Sequence, residues 1–170
     1  DGTATEASIT ISNSQPVLST PILTSSDGTG FYNNSTLTCT SSATDADEVV
    51  TTTYEWDVGG TTALGATVDL NLFNVSSGDI VTCTASTIDS QNATASAQQS
   101  VTLSNRAPDI NNAAIFPSSP STQDLLTCSA LISDSDGDST TQSYSWTLSG
   151  NVVGTGSTLD LSTLSVSPGQ

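Results

Sequence analysis

The sequence predicts an all-β fold of antiparallel β-sandwiches in tandem, the last one incomplete within the chain. Three observations predict it. Apolar residues alternate with Ser, Thr and Asp along short runs. The whole pattern returns after about 90 residues. No run places apolar residues at helical spacing.

The repeat rests on matched stretches. "SNSQP" at 12–16 returns as "SNRAP" at 104–108, Cys39 as Cys128 and Trp56 as Trp146. "ATVDLNLFNVSSGD" at 66–79 returns as "STLDLSTLSVSPGQ" at 157–170. The opening "DGTATEASITISNSQP" matches 89–108. Residues 1–15 are therefore expected to be the final strand of a preceding repeat, 16–107 a complete repeat, and 108–170 the N-terminal part of a second. By analogy with "IVTCTAST" at 80–87, the strand bearing the partner of Cys128 is expected outside this chain. Either the chain is a window on a longer array, or a neighbouring subunit completes it.

The strands follow in order. Leu37 and Cys39 share one face of "STLTCTS". Tyr54, Trp56 and Val58 share a face of "TYEWDV", with Glu55 and Asp57 opposite, and Tyr144 and Trp146 repeat that pattern. Val68, Leu70 and Leu72 form the next face, then Val81, Cys83 and Ala85, then Val101 and Leu103. The opposite positions are mostly Thr, Ser and Asp, as in antiparallel sheets wet on one side. Asp27-Gly28, Gly59-Gly60 and Ser77-Gly78 supply turns. Asp69 and Asp160 read as outward surface residues.

Composition narrows function. The chain carries 17 acidic residues against one basic residue, Arg106, for a net charge of −16. Binding to nucleic acid or to an anionic membrane needs a cationic surface, so neither partner is expected. No run approaches the length of apolar sequence that crosses a bilayer. About a third of the chain is Ser or Thr, yet the β-branched and aromatic residues recur in order, which favours packed strands over disorder. Without histidine or lysine there is no Ser–His or Cys–His pair, no histidine-bound metal, no Schiff base and no Lys–Asn isopeptide bond. No Gly-rich phosphate loop occurs. Asp45 and Asp47 could in principle act as a glycosidase pair, but they sit on a turn and recur in the repeat. The chain is not expected to be an enzyme.

The order Cys39…Trp56…Cys83 within about 90 residues of short strands resembles the immunoglobulin-like sandwich. The wording "NRAPDI…LTCSA…DSDGD…YSW…GSTLDLS" resembles the tandem Ig-like or PKD-like repeats of very large secreted or cell-surface microbial proteins. The resemblance covers nearly the whole chain. It departs in one place, since Val81 stands where the tyrosine corner would have its tyrosine. It implies a Cys39–Cys83 disulfide between the sheets, with the partner of Cys128 outside the chain, and a core around Trp56, Trp146, Tyr54 and Tyr144. The alternative is a pair of buried free thiols. A disulfide implies an oxidising compartment, hence an extracellular or cell-surface location.

The two acidic clusters, Asp45, Asp47 and Glu48 in the first repeat and Asp134, Asp136 and Asp138 in the second, fall in the same loop. Alternating carboxylates suit Ca²⁺, which takes several oxygens, and Asp89 could reach the same end; Asp1 is its counterpart from the preceding repeat. "DSDGDS" is not an EF-hand loop: its glycine is fourth rather than sixth, and the twelfth position is Ser145. The plainer reading is solvated turn residues. Asn33, Asn34, Asn74 and Asn92 head glycosylation sequons.

The expected function is structural: a non-enzymatic segment of an extracellular fibre, filament or stalk of stacked modules, with neighbouring repeats or identical subunits as partners. The alternatives are an adhesin module binding a glycan or another cell, or spacer repeats of a secreted enzyme.

Overall fold

The structure, a computed structural model, describes residues 4–169. Asp1 lies outside them. The chain divides between Asn105 and Arg106 into two compact units. Among the described residues nearly all regular structure is antiparallel β, and the helical turns are two short 3-10 segments.

The described residues of the first unit form nine strands: β1 (Val17–Leu18), β2 (Ile22–Ser25), β3 (Thr36–Thr40), β4 (Ala43–Thr44), β5 (Thr52–Val58), β6 (Thr61–Leu64), β7 (Thr67–Asp69), β8 (Ile80–Ile88) and β9 (Thr94–Thr102). One sheet runs β2-β3-β7 and another β6-β5-β8-β9, with β1 and β4 forming a small pair. Period-two patterning puts one face of each sheet inward. Leu37, Cys39, Trp56, Val58, Leu70, Val81 and Cys83 are at most 1% exposed and form the core. Cys39 on β3 and Cys83 on β8 are disulfide-bonded, tying the two sheets together. Trp56 donates its indole N–H to the Gly65 carbonyl at 2.9 Å, so the buried ring leaves no unmet donor. Tyr54 is half-buried, and its hydroxyl accepts from the Ser41 N–H.

Two sequence expectations change here. Leu72 does not share the inner face with Val68 and Leu70; it is 80% exposed. The chain leaves β7 into a 3-10 turn, Leu70–Leu72, which breaks the two-residue period. Asp69 is more than a surface residue: its carboxylate accepts from the Asn71 N–H and caps that turn. Asp160 does the same for Ser162 before the second turn, Leu161–Thr163. Residues 4–16 carry no strand, and Ile9 and Ile11 are exposed.

The described residues of the second unit form five strands: β10 (Asp109–Phe116), β11 (Leu125–Ser133), β12 (Ser145–Leu148), β13 (Asn151–Thr155) and β14 (Thr158–Asp160). They form sheets β10-β11-β14 and β12-β13. Trp146 repeats the bond of Trp56, donating to the Gly156 carbonyl at 2.8 Å. Tyr144 departs from Tyr54: its hydroxyl donates to the side chain of Gln142. Only Leu126 and Trp146 are buried hydrophobics among its described residues, and neither is fully sealed.

Candidate functional site

The acidic loop of the first unit lies between β4 and β5. Asp45 Oδ1 accepts from the Asp47 N–H at 2.8 Å, the local turn that short carboxylates favour. That turn presents Asp47 to the chain entering the unit, where its Oδ2 accepts from the Ser14 N–H at 2.5 Å. Glu48 accepts from the Ser90 N–H in the β8–β9 turn. Asp89 closes the same turn by accepting from the Gln91 and Ala93 N–H groups at 2.9 and 2.7 Å. Its other oxygen takes the Asn13 side-chain amide at 2.7 Å. Asn92 stands in the left-handed region of that turn, which asparagine tolerates. Four carboxylates thus bind three segments together: the entering linker, the acidic loop and the β8–β9 turn.

The second unit builds the same contact. Asp134 Oδ1 accepts from the Asp136 N–H at 2.8 Å and from Asp138 at 3.4 Å. Asp136 Oδ2 accepts from the Arg106 N–H at 2.5 Å. Arg106 occupies the place of Ser14 in the repeat and adds its side chain. Its Nε donates to Asp136 Oδ1 at 2.9 Å, its Nη2 forms a 2.7 Å ion pair with the same oxygen, and Nη2 also reaches the Ser135 carbonyl. The Asp136 side chain is 1% exposed.

The electrostatics follow from these partners. For Asp136, burial pushes the carboxyl up, but the Arg106 N–H, the guanidinium hydrogen bond and its charge outweigh it and hold the group below the usual carboxylate range. Asp89 is also held low, first by the Asn13 amide, against a burial effect and with help from Ala93 and Gln91. Asp160 is lowered by the hydroxyl and N–H of Ser162.

A cation would find different conditions in the two units. Asp134, Asp136 and Asp138 place carboxylate oxygens within 4.8 Å of one another, the one such group among the described residues. Arg106 already neutralises its most buried member. In the first unit Asp45, Asp47, Glu48 and Asp89 do not gather in this way, although Asp45 Oδ2 is buried without a hydrogen-bond partner. Among the described residues, neither unit combines a gathered set of carboxylates with an unmet buried carboxylate oxygen. Of the sequon asparagines, Asn34, Asn74 and Asn92 are exposed and Asn33 is half-buried.

Three linker residues escaped the sequence reading: Asn13, Ser14 and Arg106. A signal existed. The only cation in a chain of 17 acids sits at the matched linker position, where a carboxylate partner is to be expected.

No protein-family model, curated protein or solved structure matches the chain. The geometry therefore carries the functional reading alone.

Proposed function

We propose that this chain is a segment of a non-enzymatic extracellular structural protein: a fibre, filament or stalk of stacked Ig-like modules. One observation carries the reading. The same carboxylate-to-linker contact is built twice, at Asp47–Ser14 and at Asp136–Arg106. A duplicated site that grips the entering chain suits an array, because it makes each linker part of the module it leads into. The two-sheet first unit, its disulfide and the acidic surface agree with a secreted location. The hold on the linker is made by the chain's own donors.

The test is small-angle scattering on the chain and on Asp136→Ala, with circular dichroism to verify that strand content is kept. Releasing Arg106 should broaden the distribution of interatomic distances. An identical distribution in the variant would count against a linker-gripping role.

A further inference from the structure

The second unit reproduces the inner face of the first without the strands that cover it. In the first unit β8 lies along β5, with Val81 opposite Val58, Cys83 opposite Trp56 and Ala85 opposite Tyr54. β9 then pairs along the whole length of β8. In the second unit β12 is bonded to β13 alone, so the edge that β5 gives to β8 carries no strand among the described residues. Behind it opens a cavity of about 490 Å³ whose lining includes Ile115, Leu126, Trp146, Leu148, Leu159 and Leu161. Their matched positions in the first unit include Leu37, Trp56, Val58 and Leu70, all at most 1% exposed. Cys128 matches Cys39 but is a free thiol.

We propose that this open face is a receptor for a two-stranded β-hairpin of the chain's own repeat type, bearing a cysteine that bonds to Cys128. The first unit shows what such an occupant looks like. Its leading strand would pair with the open edge of β12, lay alternate apolar side chains into the cavity, and set its cysteine opposite Trp146, as Cys83 stands opposite Trp56. In the covalent step the two thiols each give up a proton and together two electrons, forming the S–S bond. A small-molecule disulfide such as oxidised glutathione accepts the electrons and becomes two thiols. The exposed stretch at residues 4–12 is a poorer occupant, because it alternates but has no cysteine and no return strand. The inference rests on the likeness of the two units and not on the fibre reading.

The probe is a synthetic peptide of residues 80–104, offered to the full chain in a glutathione redox buffer, beside a scrambled peptide that keeps its one cysteine. Mass spectrometry should show a one-to-one mixed disulfide at Cys128. It should form faster than with the scrambled peptide by about tenfold or more, because a docked thiol has a raised effective concentration. In a Trp56→Phe background, Trp146 emission should move to the blue. A second measurement covers a peptide too weak to dock: the chain extended after Gln170 by a copy of residues 80–104 should close a disulfide to Cys128 and melt higher than one with a scrambled extension. Equal rates for the two peptides together with equal melting of the two extensions would overturn the proposal. So would preferential Cys128–Cys128 dimers that exclude the peptide, which would make a second copy the occupant.

Discussion

In the first unit, Leu37, Cys39, Trp56, Val58 and Leu70 are sealed from solvent. In the second, Leu126 and Trp146 are 9% and 7% exposed, while Cys128, Leu148 and Leu161 stay half-buried. The residue types at these places are nearly the same. What differs is the second half of the sandwich: β8 supplies Val81, Cys83 and Ala85, and the residue following β9 is Leu103. The lesson is that strand identity is local and a core is not. Alternation forms β12 and β13 as it forms β5 and β6, but an inner face becomes a core only when something covers it.

The most severe way to break this comparison is to remove the disulfide. Replacing Cys39 and Cys83 by Ala opens a crosslink with a sequence separation of 44 and should cost the first unit about 4 kcal/mol on loop entropy. Calorimetry should show its transition fall while that of the second unit stays. A second unit that falls equally would mean the two do not melt independently.

The linker contacts come next. Asp136→Ala removes an ion pair and a charge-assisted backbone bond, and should destabilise the second unit by about 1–3 kcal/mol. Asp47→Ala loses one backbone bond at a more exposed place and should cost the first unit about 1 kcal/mol. Acid sharpens the difference. Because the Asp136 carboxyl is held low in the folded chain, its contribution is present above the ordinary carboxylate pKa of about 4 and is lost as the pH falls through the lowered value. Urea melts at pH 6 and pH 3 should therefore show a smaller acid loss in Asp136→Asn than in the parent, confined to the second unit.

Smaller still are the caps. Asp69→Ala and Asp160→Ala should each lower the melting point of their own unit slightly, and equal shifts would show that these turns form alike in both units. Calcium is expected to do least. With Asp136 already neutralised by Arg106, millimolar calcium should leave both melting transitions in place. A rise in the second transition that vanishes in Asp134→Asn would instead make the three aspartates a metal centre.

Much of the fold was legible because alternation is a short-range signal. Tyr54, Trp56 and Val58 face inward as their spacing requires, whereas the bond between Cys39 and Cys83 was implied by the Ig-like resemblance and not by alternation. Leu72 misled because a 3-10 turn interrupts the period without changing residue types. The acidic loops were legible as clusters but not as contacts. Aspartates at alternate positions look alike whether they await a cation or an amide, and only the fold brings Ser14 and Arg106 to them. The capping roles of Asp69 and Asp160 depend on where the strand ends, which alternation alone does not mark.

The bond between Cys39 and Cys83 has a mechanical meaning. If the ends of the first unit are pulled apart, the chain between those cysteines cannot be drawn out. At about 3.4 Å per extended residue, roughly 150 Å of contour length is withheld even after every strand has separated. A tether containing this unit would stiffen early under load, and would lengthen fully only where a reductant reached the bond.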